Sequence, residues 1–307
     1  MSPIRLLPLW VLTVLALLAP VAASAQNGRP LALSAECVLL TDPEGRVIFA
    51  KNPADLHAPA SLVKLMTLYL AYEDLEAGHV HLDDLAVVSR NAATVPRYRM
   101  GLRADTQVPV HTLLEGVAIA SANDAATALA EKLGGDEATF VARMNAKARE
   151  FGLTGTHFAN PHGLPDASQR STARDLAELT NRLLRDHPDA RGMLGGQTFV
   201  YNGRVYARHI PLFNDPGGVQ ALKTGFTTEA GYNLAVSAWC NERQFLMIAM
   251  GARTRAQSFL DAKRLLRYGF LEAGLETPPE PKPRLAPRRS TPRRSATTSA
   301  TPAAGIR

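Results

Sequence analysis

The chain has 307 residues, 46% hydrophobic and 20% charged, a balance that excludes a disordered or fibrous protein and allows a sizeable core. Its formal charge of +6 is unevenly placed: residues 276–307 hold seven Lys and Arg against Glu276 and Glu280, Arg5 adds one more, and residues 26–275 are neutral. The folded part therefore shows no basic excess, and no nucleic-acid partner is expected.

Arg5, the apolar run Leu6 to Ala22 and the small residues Ala23-Ser24-Ala25 read as a secretory signal over residues 1–25, with a mature start near Gln26. An uncleaved anchor is the alternative, but the run is short for a bilayer crossing and Pro8 and Pro20 interrupt it. Residues 26–275 are expected to form the catalytic domain. The first pattern in it is a hairpin, Glu36 to Leu40 and Arg46 to Ala50 around the turn Asp42-Pro43-Glu44-Gly45. Helical spacing then runs from Ser61 through Leu62, Leu65, Met66, Tyr69 and Tyr72 until Gly78. Further helices are expected over Leu113 to Ala120, Asp124 to Leu133, Phe140 to Phe151 and Thr172 to Leu184. Strands return at Gln220 to Thr224, Leu234 to Cys240 and Phe245 to Gly251, before an amphipathic helix over 256–271. Strands at both ends around a helical middle predict an α+β fold: one antiparallel sheet built from both termini, flanked by helices, with a helical subdomain. No internal repeat is visible. Residues 276–307, rich in Pro, Ser, Thr, Ala and Arg, are expected to be a disordered basic tail. A solvated end and weak attraction to anionic membrane or wall polymers are both open for it.

Cys37 and Cys240 both fall in strand-like stretches; a disulfide between them and two free thiols are equally open. No metal-ligand spacing of Cys and His occurs, and no metal or cofactor is expected.

Three short motifs carry the chemistry. Ser61-Leu62-Val63-Lys64 puts an amine one helical turn from a hydroxyl. A serine needs a base to become a nucleophile, and a lysine serves only if its pKa is lowered. With thirteen serines and seven lysines in the chain, about 0.3 such pairs arise by chance, so this match alone is weak. Ser121-Ala122-Asn123 sits between two helices, where the plainer reading is N-capping. A rival match, Ser89-Arg90-Asn91, lies in a polar loop with no helix behind it. Lys223-Thr224-Gly225 lies on an edge-like strand, where a glycine lets a substrate lie against the backbone; it is the most specific of the three.

In this order the motifs match the active-site set of penicillin-binding proteins and class A β-lactamases. The residues around them, including Ala58-Pro59-Ala60, Asn123-Asp124-Ala125-Ala126, His162-Gly163-Leu164, Lys223-Thr224-Gly225-Phe226-Thr227 and Ala230-Gly231-Tyr232-Asn233, narrow this. Over residues 34–272 the chain resembles the low-molecular-weight serine D-alanyl-D-alanine carboxypeptidases. The resemblance implies a β-lactamase/transpeptidase-like fold and an exported, periplasmic hydrolase acting on peptidoglycan stem peptides and acylated by β-lactam inhibitors. It implies Ser61 as nucleophile, Lys64 as base and Ser121 in proton transfer. Asn123, Lys223, Thr224 and Gly225 would bind substrate, and the backbone N–H groups of Ser61 and Phe226 would form the oxyanion hole.

Three departures stand out. Val63 replaces a common threonine, and Ser258 occupies the place of a common carboxylate-binding arginine, with Arg253 and Arg255 nearby. The residues after Phe270 are too few for the second, β-rich domain and amphipathic anchor of many relatives, and neither is expected. A D,D-endopeptidase shares every motif and remains the alternative. A class A β-lactamase would need a glutamate to activate the deacylating water, and no convincing one lies between Ser121 and Lys223. A non-catalytic wall-binding module would be expected to have lost Ser61 or Lys64, and neither is lost.

Overall fold

A computed structural model describes residues 31–214 and 218–275. The expected signal peptide and basic tail lie outside them. The hairpin is present as β1 (Cys37–Thr41) and β2 (Val47–Lys51). A 3₁₀ turn, Ala60–Val63, leads into α1 (Lys64–Glu76). Then follow β3 (Leu85–Val87), α2 (Arg90–Thr94), β4 (Gln107–Pro109), α3 (Val110–Ala118), α4 (Asn123–Gly134), α5 (Glu137–Glu150), α6 (Ala173–Asp186) and α7 (Ala190–Gly195). A small hairpin, β5 (Thr198–Tyr201) and β6 (Arg204–Ala207), precedes β7 (Val219–Thr227), β8 (Gly231–Cys240), β9 (Arg243–Ala252) and α8 (Arg255–Glu272).

The main sheet has the order β2-β1-β9-β8-β7 and is antiparallel throughout, so both ends of the domain meet in it. Alternation divides its side chains between two cores. Leu39, Leu246, Ile248 and Met250 pack with α1, α3 and α6, whereas Leu40, Val236, Met247 and Ala249 pack under α8. Burial on both faces is why these strands read as nearly unbroken apolar runs. The consequence for the site is that β7 is an edge strand, with one side of its backbone unpaired by the sheet.

Several readings change. The helix expected from Ser61 opens instead with the 3₁₀ turn, and α-helical bonding starts at Lys64. Ser89, read as standing in a loop, N-caps α2 and accepts from Ala92 N–H at 2.9 Å. The disulfide question closes: both cysteines are free. Cys37 pairs with Met250 and Cys240 with Arg243, at opposite ends of β9, on the order of 20 Å apart by strand rise and far beyond disulfide reach. Among the described residues no helix is long and apolar enough to cross a membrane.

Candidate active site

Ser61 stands in the 3₁₀ turn before α1, and three contacts hold that turn on the sheet. Asn233, buried on β8, donates from Nδ2 to the carbonyls of Ala58 (2.9 Å) and Pro59 (3.1 Å). Its Oδ1 accepts from Gly251 N–H at 2.9 Å. Gly225 on β7 lies so close that a β-carbon there would stand 3.0 Å from Ser61 N. The motif glycine therefore has a steric reason to be one: edge strand and Ser61 turn touch through backbone.

Lys64 is fully buried. Its Nζ donates to Asn123 Oδ1 at 2.7 Å and to the His162 carbonyl at 2.5 Å, and it lies 3.3 Å from Ser61 Oγ. Two of its three tetrahedral directions outside the chain thus end on carbonyl oxygens, which only accept. In the neutral amine both N–H groups are spent there, and the lone pair is left for the Ser61 hydroxyl. Burial lowers the Lys64 amine to about 7, against the opposing pull of Asp124. His162 is no rival base. Its Nδ1 accepts from Leu164 N–H at 3.2 Å, and burial followed by the Lys64 charge lowers the imidazole to about 3.

Ser121 has φ +55°, a left-handed conformation rare for serine. Its Oγ accepts from Lys223 Nζ at 2.8 Å, and the same amine donates to Thr224 O at 2.9 Å. Burial first, then the charges of Lys64 and Arg208, hold the Lys223 amine well below its ordinary value. A carboxylate arriving beside it would supply the missing counter-charge. The hydrogen bonds thus form two groups, Ser61–Lys64–Asn123 and Ser121–Lys223. Among the described residues no direct bond joins Ser121 to Ser61 or Lys64. Thr224 is half-buried, and Phe226 is exposed and stacked on Tyr232 at 4.3 Å. Ser258 is buried and donates to its own helix at Arg255 O, 2.8 Å away.

Other residues complete the site. Asp124 is buried and accepts from the N–H groups of Met100, Gly101 and Leu102 at 2.8–3.0 Å. It pins the loop whose Pro96 and Arg97 carbonyls accept from Asn123 Nδ2, both at 3.1 Å. Arg208 donates to the carbonyls of Gly196, Ala118, Leu222 and Leu194, tying α3 and α7 to the strand that carries Lys223. Position next to Ser121-Ala122-Asn123 was a signal for Asp124; nothing local marks Arg208.

A serine hydroxyl facing a buried lysine amine of lowered pKa, beside an edge strand, is the arrangement that serine acyl transfer with a lysine base requires. The profile described as D-alanyl-D-alanine carboxypeptidase matches residues 22–254, and the chain belongs to that family. It is 36% identical over 252 residues to the D-alanyl-D-alanine carboxypeptidase DacA of Haemophilus influenzae, covering 78% of this chain and 64% of that protein. The chain thus spans less than two thirds of that relative's length. A D-alanyl-D-alanine endopeptidase of Pseudomonas aeruginosa is 32% identical over 256 residues, covering 80% of this chain and 79% of that protein. Among solved structures, penicillin binding protein 5 of Haemophilus influenzae superposes with a TM-score of 0.76 at 34% identity, covering 79% of this chain and 72% of that one.

Proposed function

We propose that the chain is a serine-type D-Ala-D-Ala carboxypeptidase that removes the terminal D-alanine from peptidoglycan stem peptides. The observation that carries this is the Lys64 amine held by two carbonyl acceptors with its third direction on Ser61 Oγ. In the proposed reaction Ser61 Oγ attacks the carbonyl carbon of the penultimate residue while its proton passes to Lys64 Nζ. The carbonyl electron pair moves to oxygen, where the N–H groups of Ser61 and Phe226 receive it. As the C–N bond breaks, the proton held on Lys64 Nζ passes by way of Ser121 to the leaving nitrogen, so that D-alanine departs as an amine and Lys64 is neutral again. Water then attacks the acyl carbonyl while Lys64 takes its proton, and that proton passes to Ser61 Oγ as the acyl–oxygen bond breaks.

Asn123 Oδ1 fixes the base, and Lys223 with Thr224 receives the substrate's terminal carboxylate; Gly225 leaves room for the Ser61 turn against β7, not for the peptide as the sequence suggested. Ser258, turned into its own helix, takes no part. Family membership and the penicillin-binding name of the structural relative support β-lactams as acylating inhibitors. The signal-like first 25 residues support export to the periplasm or the outer side of the cell envelope.

The endopeptidase reading rests on the relative that matches this chain over more of its own length. Purified protein offered a pentapeptide and a cross-linked dimer separates the two. Release of D-alanine from the pentapeptide is expected, at a rate exceeding cleavage of the dimer. Cleavage of the dimer alone would replace the first reading with the second.

A further inference from the structure

Past Phe226, the edge of β7 continues to Thr227 and the turn that carries Glu229. There Arg170 Nη2 meets Glu229 Oε1 at 3.0 Å, with the two side chains 33% and 50% exposed. The pair lines a notch together with Pro59, Ala60, Gly163 and Thr227, directly beside the Ser61 turn. Arg170 is presented rigidly: its Nη1 donates to the carbonyls of Asp166 (3.2 Å) and Gln169 (2.8 Å). Asp166, also at the notch, is occupied, its Oδ1 accepting from Ser168 N–H and Oγ–H at 2.8 and 2.6 Å. The notch therefore offers a ligand the Arg170 guanidinium and the Glu229 carboxylate, with Asp166 a second carboxylate already engaged by Ser168.

The direction of the substrate follows from the function proposed above, on which this inference rests. With its terminal carboxylate at Lys223–Thr224 and its scissile carbonyl between Ser61 and Phe226, a peptide runs antiparallel to β7. Its upstream residues then pass Thr227 and approach Glu229, at ~3.4 Å per residue. The first side chain to reach the notch is that of the residue preceding the D-Ala-D-Ala pair.

We propose that Arg170 and Glu229 form a specificity subsite for that residue, and that the subsite takes a diamino acid whose side chain ends in both a free ammonium and a carboxylate. Glu229 receives the ammonium and Arg170 the carboxylate. A half-exposed ion pair contributes little to folding, so exchanging it for two pairs with the substrate costs little. Adjacent groups of opposite sign favour a zwitterionic end, because a purely cationic or anionic one would leave one member of the pair without a partner. Acylating the amine removes its charge and with it the contact with Glu229.

The test uses two pentapeptides that end in D-Ala-D-Ala and differ only in acetylation of the diamino-acid side-chain amine. The wild-type chain is expected to release D-alanine from the free-amine peptide with a kcat/KM about tenfold higher, the scale of one lost charged hydrogen bond. Glu229→Gln is expected to abolish that ratio by lowering turnover of the free-amine peptide only. The exchange R170E/E229R, which retains an ion pair, is expected not to restore it. A wild-type ratio of one, a ratio that survives Glu229→Gln, or an equal fall on both peptides would overturn the subsite. A wild-type chain that releases D-alanine from neither would overturn the proposed function itself.

Discussion

Replacing Lys64 by alanine or by arginine lowers the rate at which penicillin acylates Ser61 by about 10³-fold, within the range of a lost general base. The arginine variant is the informative one. It keeps a cation next to Ser61, but a guanidinium cannot give up its proton in a protein, so a role that needed only positive charge would survive and a base would not. The same argument fixes the pH profile. A base at Lys64 must react as the neutral amine, and burial lowers that amine to about 7. Acylation therefore rises with pH, close to tenfold per unit below that point, and levels above it. His162, lowered to about 3, is neutral throughout this window and adds no second limb there. Labelled-penicillin kinetics between about pH 5 and pH 9 reads both effects. A wild-type rate flat across that range, or an arginine variant within a few-fold of wild type, would remove Lys64 from the role.

Gly163→Ala is expected to damage the site without touching any group that reacts. Gly163 has φ +88°, and a β-carbon there would stand 2.0 Å from Ala60 O and 2.9 Å from Ser61 N. Both obstacles are backbone, so no rotamer change relieves them. Ala60 is itself left-handed, at φ +49°, and its turn is clamped from the other side by Asn233, which leaves little room to retreat. A left-handed conformation costs a non-glycine residue roughly 1–2 kcal/mol, and overpacking adds roughly 1–3 kcal/mol. For a domain of this size that lowers the melting midpoint by about 5–10 °C. Penicillin acylation should fall further than stability does, because the displaced atoms belong to the turn that carries Ser61, the proposed nucleophile. Unchanged melting together with unchanged acylation would show that the turn is looser than its contacts indicate.

What was legible in the sequence is what local spacing encodes. Ser61 and Lys64 sit one turn apart, and the amine does reach the hydroxyl. Apolar runs marked the central strands. Gly225 was read as room for a substrate, whereas the space is taken by the Ser61 turn. What was not legible depends on partners far along the chain. Lys64 takes its orientation from Asn123 and His162, 59 and 98 residues away. The constraint on Gly163 comes from Ala60, and a glycine in a polar loop otherwise reads as an ordinary turn. The β5–β6 hairpin escaped because Val200 and Val205, opposite each other in it, are both 62% exposed. Apolar side chains that face water break the alternation by which a half-buried strand is recognised. The three-residue strands β3 and β4 are too short for any periodicity. Strand register alone decided between a disulfide and two free thiols.

The account stands on Ser61 as the nucleophile, and intact-protein mass spectrometry after incubation with penicillin tests it most directly. One added penicillin mass is expected, carried after digestion by the peptide containing Ser61 and absent from Ser61→Ala. An adduct on another residue, or equal labelling of the alanine variant, would contradict it.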